Sequence, residues 1–316
     1  MAVHVLGDCY LPITIIITFV YQLIVFFITF TLQVDTATDI SGGSNVALLA
    51  ILTLVLSQTY HTRQIIATTL QIVWGLRLGL FCLYRTLKAG HNDSRFNEIR
   101  QHFLKLFIFF FLQMSWVWSV SVPVSFINSE KIVEFADPNF GSVTDILGVI
   151  LFVIGFLIES IADIHKLIFR INRSSSDEII KTGLWAWSRH PNYFGDIVLW
   201  IGMYLLCLQS NIVNTAAIIV SLLCPLVIIV VLLFISGLPL SERPTHIKQF
   251  KAGNWPEYSK YLSRTSCLIP FPPTLYEPLP QIIKSTLFLE FPIYRFDPES
   301  EGDLVEKDKN VGDKNI

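Results

Sequence analysis

The chain has 316 residues, of which 52% are hydrophobic and only 15% charged. Soluble domains carry about a quarter charged residues, so this composition leaves too little polar surface for a water-exposed globule and points to a bilayer. The formal net charge of −2 gives none of the global basic field a nucleic-acid binder presents, so we expect no nucleic-acid partner.

Seven apolar segments run along the chain, to be compared with the roughly 20 residues a spanning helix needs. They are Leu11–Leu32, Asn45–Tyr60, Ile65–Tyr84, Phe103–Val122, Ile146–Ile161, Tyr193–Leu208 and Ala216–Ile235. No Lys or Arg precedes the first, it exceeds the apolar region of a signal peptide, and no small-residue cleavage site follows, so it reads as a retained span. The Gly42-Gly43 pair reads as loop. The second and sixth segments are short for a crossing, which predicts little tilt, partial re-entry or support from neighbours. Five dispersed cysteines without C-x-x-C spacing read as small buried hydrophobes. His61, His91 and His102 show no metal-ligand spacing.

Basic residues concentrate in alternate connections. Arg85, Lys88, Arg95, Arg100 and Lys105 follow the third segment; Lys166, Arg170, Arg173, Lys181 and Arg189 follow the fifth; Arg243, Lys248, Lys251, Lys260 and Arg264 follow the seventh. The intervening loops hold only Arg63 and Lys131. By the positive-inside rule the basic connections and the C-terminus face the cytoplasm, and the N-terminus the lumen or exterior. From about Glu299 the chain is rich in Glu, Asp, Lys, Asn and Gly, which predicts a solvated, disordered tail. The expected organisation is residues 1–62 as N-terminal membrane helices, 63–273 as the main membrane domain and 274–316 as a cytosolic tail.

Three blocks carry chemistry. In the first, Glu159 and Asp163 stand four apart and share a helical face. Ionisable groups within a span are costly and face a cavity or partner; two carboxylates suit amide or hydroxyl donors, or a helix-end charge pair with Lys166 or Arg170. The second runs Thr182-Gly-Leu-Trp185-Ala-Trp-Ser-Arg189-His190-Pro191-Asn192-Tyr193-Phe-Gly-Asp196. Pro191 suits the first turn of a helix, and Arg189 suits bidentate phosphate recognition. The same block also fits interfacial anchoring by Trp185, Trp187 and Tyr193. The third joins Ser236-Gly-Leu-Pro-Leu-Ser-Glu242-Arg243 to Tyr258, Tyr261 and Thr265, whose spacing predicts a short helix on the membrane face. There is neither a G-x-G-x-x-G behind a strand nor a P-loop, so a dinucleotide would need a non-Rossmann site.

The motif W-S-R-H-P-N-Y-F-G-D resembles one in the steroid 5α-reductase-like membrane family, in its large uncharacterised branch. Trp74-Gly-Leu-Arg77-Leu with Arg85, Asp93-Ser-Arg95-Phe96, Gln113, Trp118, Pro123 and Glu159-x-x-Ala162-Asp163 are similar to further elements of that branch. So are Ser236-Gly-Leu-Pro-Leu-x-Glu242 and Pro256-Glu-Tyr258 through Arg264-Thr-x-x-x-Ile-Pro270. The resemblance covers roughly Arg63 to Pro273 and implies an all-α polytopic bundle of about seven spans. It further implies NADPH held on the cytoplasmic side of the C-terminal half. Carried over, Asp163, Arg170, Arg189, Asn192, Asp196 and Arg264 look like cofactor contacts, with Glu159 where steroid reductases place an Asn, and His190 and Tyr193 as positioning residues.

The implied reaction is reduction of a carbon–carbon double bond conjugated to a carbonyl in a lipid or steroid-like enone. A hydrogen-bond donor polarises the carbonyl, and a Tyr or acid supplies the proton at the α-carbon. The family's N-terminal Gln-Glu pair is absent; Gln58, Tyr60, His61 and Tyr84 are the nearest polar candidates, with Tyr60 and Tyr84 taken as candidate catalytic residues. Membrane methyltransferases also carry an R-H-P-x-Y element, there for S-adenosylmethionine, and a non-catalytic scaffold retaining the fold is a third reading. An intracellular membrane, by default the endoplasmic reticulum, is the expected location.

Overall fold

A computed structural model describes residues 9–34, 36–89, 99–129, 132, 139–175, 177–211 and 214–302. The described residues form an all-α bundle with no strand, and seven stretches are long and apolar enough to cross a membrane. In chain order the first six are α1 (Leu11–Leu32), α2 (Thr36–Ser57), α3 (Thr62–Ala89), α4 (Phe103–Ile127), α5 (Val143–Asn172) and α6 (Pro191–Asn211). The seventh stretch, Thr215–Lys251, is broken into α7 (Thr215–Ser221), α8 (Leu223–Val230), a π-helical turn at Val231–Ile235 and α9 (Leu238–Lys251). Beyond it lie α10 (Trp255–Arg264), α11 (Pro273–Tyr276) and α12 (Gln281–Thr286). Asp93, Arg95, His91 and Lys131 fall outside the described residues.

Two expectations about length are corrected. The second segment is a 22-residue helix and the sixth a 21-residue one. Hydropathy shortens α2 because its first turns are polar: Thr38 and Ser41 are buried and bonded inside the bundle, to Thr29 at 3.0 Å and to Gln113 at 2.7 Å. Gly42 and Gly43 are thus helical and not loop. A Cβ on Gly43 would stand 2.1 Å from the Gly75 carbonyl oxygen, so at Gly43 α2 and α3 meet backbone to backbone, while a Cβ on Gly42 would stand 2.8 Å from the Trp116 ring of α4. Small residues serve this use at helix contacts in membranes.

Two compact units are present, residues 1–154 with 198–228, and residues 155–197 with 229–316. The first holds α1–α4, the start of α5 and most of α6. Phe26 of α1 packs edge-on against Phe103, Phe107 and Phe110 of α4. Large apolar side chains such as Phe19, Ile24, Leu80 and Leu104 point outward, the arrangement expected of helices facing lipid. The interior also holds amides: Gln22 and Asn45 are buried, and neither amide has a hydrogen-bond partner among the described residues. An unsatisfied buried amide costs about 1–3 kcal/mol. Asn45→Leu, similar in volume, is therefore expected to hold or raise the melting temperature in detergent, and a marked fall would show that the amide is satisfied.

The second unit contains the end of α5, the start of α6, and everything from residue 229. Gly195 of α6 lies on α5, where a Cβ would come within 2.6 Å of both the Glu159 nitrogen and the Gly155 oxygen. At the π turn the chain doubles tightly: a Cβ on Gly237 would meet the Leu232 oxygen at 2.3 Å, while the Tyr294 hydroxyl donates to the Leu233 carbonyl at 2.6 Å. Such turns leave carbonyls unpaired within a span, and Tyr294 satisfies this one. Of the tail expected to be disordered from about Glu299, residues 299–302 are helical, with Glu301 paired to Arg243 and Ser300 bonded to Asp297, and the remainder lies outside the described residues.

Candidate functional site

The chemistry-bearing residues of the second unit build outward from the segment before α6. Gly183 turns with φ +59 against the His165 ring. Trp185 is buried and donates its indole N–H to the Ala162 carbonyl at 3.2 Å, and the Lys166 ammonium lies 4.6 Å from its ring centroid. The next residues run beside 266–271. Arg189 N–H donates to Ser266 at 2.8 Å, the Ser188 hydroxyl to Leu268 at 2.7 Å, and Phe271 N–H to Trp187 at 3.1 Å. Pro191 then opens α6 at the position where its missing N–H costs nothing.

On one side of this frame lies a ladder of charges on α5. Glu159, Asp163, Lys166 and Arg170 stand at i, i+4, i+7 and i+11, so they share one face over about 16 Å at 1.5 Å per residue. Glu159 is buried, Asp163 and Lys166 are half-buried and Arg170 is exposed. The Asn192 amide of α6 donates to Asp163 Oδ1 at 3.1 Å, and its Oδ1 is buried without a hydrogen-bond partner among the described residues. Asp196 follows on the next turn, half-buried.

On the other side is a buried ionic core. The Arg189 guanidinium, 4% exposed, lies 3.0 Å from Glu242 and 3.4 Å from Glu290. Burial opposes its charge, but these carboxylates hold the guanidinium well above arginine's ordinary value. His190 Nε2 is 2.7 Å from Glu242 Oε1. Burial lowers the imidazole below its usual range and the Glu242 bond only partly opposes this, so the neutral ring donates from Nε2; its ring stacks on Tyr193 with centroids 5.0 Å apart. The Cys267 thiol, pushed up to about 12 by burial and by Glu242, stays protonated and reaches Glu242 at 4.0 Å. Glu290 also accepts from the Tyr276 hydroxyl at 2.6 Å.

The residues singled out in the sequence therefore separate into groups. Glu159, Asp163, Arg170, Asn192 and Asp196 belong to the ladder and the helix start facing it. Arg189 and His190 belong to the buried core, where carboxylates from α9 and from the 287–291 segment take up the guanidinium. Tyr193 stands between, on His190. Arg264 is half exposed and pairs with Glu277 at 3.2 Å. Tyr60 and Tyr84 lie in the first unit, both about half exposed. One precedes α3 and the other sits near its far end, about 33 Å along the axis, so they do not share a site. Sequence reading missed His246, Glu290 and Lys284; only the Glu242–His246 spacing of four was there to be seen.

The family model described as "Protein of unknown function (DUF1295)" matches residues 25–265, well over half of the chain. No curated protein and no solved structure matches it.

Proposed function

Because the chain belongs to the DUF1295 family, which is related to the steroid 5α-reductase-like proteins, we propose that it is a membrane-embedded NADPH-dependent reductase of a lipid or steroid-like enone. The observation that carries this reading is the ladder on α5, two carboxylates followed by two cations, faced by Asn192 with a buried and unpartnered amide oxygen. The donor set fits the cofactor in order. Asn192 Oδ1 would accept from a carboxamide, Glu159 and Asp163 from carboxamide or ribose hydroxyls, and Lys166 and Arg170 would meet phosphate. Bound NADPH supplies hydride to the β-carbon of the conjugated double bond.

The chain's own residues then bind and orient. Asn192 is held by Asp163, so its carbonyl oxygen is fixed in direction before any ligand arrives, and Trp185 beneath Lys166 limits where that ammonium travels. Preorganisation of this kind lowers the ordering cost of binding. Arg189 supports the site by fixing the chain that leads into α6, and does not face phosphate. The substrate is apolar and arrives from the bilayer, with the basic connections and the C-terminus on the cytoplasmic side, in an intracellular membrane such as the endoplasmic reticulum.

Thermal stabilisation of detergent-purified protein by NADPH, NADH and S-adenosylmethionine tests this. A ligand that binds only the folded state adds about 2.7 kcal/mol at one hundred times its dissociation constant. NADPH is expected to raise the melting temperature, and Asp163→Ala and Asn192→Leu to weaken it at least tenfold while the ligand-free proteins melt within a few degrees of wild type. A shift with S-adenosylmethionine alone would replace reduction by methyl transfer. No shift with any of the three would leave a non-catalytic membrane protein.

A further inference from the structure

A second, separate site lies in the C-terminal part of the same unit. A cavity of about 250 Å³ is lined by His246, Trp255, Ser263, Lys284, Glu290 and Arg295, with Gln281 at its exposed edge. Lys284, Glu290 and Arg295 lie beyond the residues the family model matches.

The lining has an unbalanced charge. The lining holds one carboxylate against two cations, and that carboxylate, Glu290, also takes Arg189 and the Tyr276 hydroxyl besides acting on Lys284. The Lys284 ammonium is buried; it donates to the Ser263 and Glu277 carbonyls at 2.9 and 3.3 Å and lies 4.5 Å over the Tyr276 ring. The Arg295 guanidinium donates to Ser285 Oγ and the Glu290 carbonyl. Among the described residues neither cation forms an ion pair with a carboxylate. His246 is 3% exposed and neither ring nitrogen has a hydrogen-bond partner, Nε2 standing 3.5 Å from Glu242 outside bonding geometry. A buried imidazole with neither nitrogen hydrogen-bonded among the described residues, beside two cations that form no ion pair, offers donors suited to an anion that accepts several hydrogen bonds.

We propose that this cavity binds the phosphate group of a small phosphomonoester, presented either by a lipid headgroup or by a free metabolite. A phosphate carries up to two charges and three acceptor oxygens, enough to balance both Lys284 and Arg295 and still accept from His246, whereas a carboxylate brings a single charge. The volume falls below the roughly 300–1,000 Å³ of sites that enclose a drug-sized ligand. It therefore takes the phosphate and a short organic stub, with Trp255 and Phe296 as the apolar wall. The site is distinct from the α5 ladder and does not rest on the reductase reading.

Calorimetric titration of the full-length protein in detergent with inorganic phosphate, glycerol 3-phosphate and short-chain phosphatidic acid tests the proposal. One-site binding is expected for at least one probe, weakened tenfold or more by Arg295→Gln and by His246→Gln. Because Arg295 also bonds backbone, Gln281→Glu serves as the second variant. It is exposed, among the described residues bonds only Ser285 at 3.5 Å, and places a repelling charge at the edge without disturbing the fold. Binding of glycerol 3-phosphate assigns a free metabolite, and binding of phosphatidic acid alone assigns a lipid headgroup. Absence of binding by all three probes, or affinities unchanged in Arg295→Gln and Gln281→Glu, would overturn it. Prior saturation with inorganic phosphate leaves any NADPH stabilisation in place, which keeps failure of one site separate from failure of the other.

Discussion

Arg189→Ala is expected to destabilise the protein by about 3–5 kcal/mol, the cost of leaving a buried carboxylate without its partner. Glu242 is 5% exposed and takes the guanidinium at 3.0 Å, and without it keeps, among the described residues, only the hydrogen bonds from His190 at 2.7 Å and from the distant Cys267 thiol. Glu290 loses its cation as well, though the Tyr276 hydroxyl still bonds it. At roughly 2–4 °C per kcal/mol for chains of 150–250 residues, the melting temperature should fall by about 6–20 °C. Replacing both partners, Arg189→Met with Glu242→Leu, removes the two buried charges together and is expected to recover at least half of that loss, since apolar substitutes for a buried pair are often neutral or better. An Arg189→Ala protein that melts like wild type but loses NADPH binding would instead make this arginine a phosphate ligand.

That contrast shows what was legible in the sequence. Arg189 beside His190-Pro191 reads as an anion ligand because nothing nearby neutralises it; its carboxylates come from Glu242 and Glu290, about fifty and about a hundred residues further along. Local pattern carries what is set by local physics. Spans follow from apolar run length, the opening of α6 from Pro191, the α10 helix from the spacing of Tyr258 and Tyr261, and the α5 ladder from the helical period. The length of α2 was hidden because hydropathy counts Thr38 and Ser41 as polar, whereas both spend their hydroxyls inside the bundle. Gly42-Gly43 misread for a related reason: a glycine pair signals a turn in isolation, and a close helix contact only when the facing Gly75 is known. The anion cavity was invisible because its lining is drawn from four separate stretches between residues 246 and 296.

Asp145→Ala is expected to be the most damaging single change in the first unit, about 3–5 kcal/mol, with Arg63→Ala somewhat milder. The two are joined by a bidentate bond, Nε to Oδ1 at 2.6 Å and Nη2 to Oδ2 at 2.8 Å, at 2% and 0% side-chain exposure. The order follows from proton chemistry. A stranded carboxyl can neutralise itself by binding a proton, whereas a guanidinium cannot shed one. Arg63→Lys should cost less than either but more than nothing, because an ammonium cannot make the fork. Melting of the three variants in detergent checks the series, and an Arg63→Ala protein less stable than Asp145→Ala would refute the argument. The pair also bears on topology. Arg63 opens α3, Asp145 opens α5, Ser210 near the end of α6 accepts from Arg63 at 3.1 Å, and Gln64 donates to Ile127 at the end of α4 at 3.0 Å. Two helix starts and two helix ends are thereby tied at one level, as four crossings alternating in direction require. The charge count put these connections together on the base-poor side, and the neutralised Arg63 adds no net charge to it.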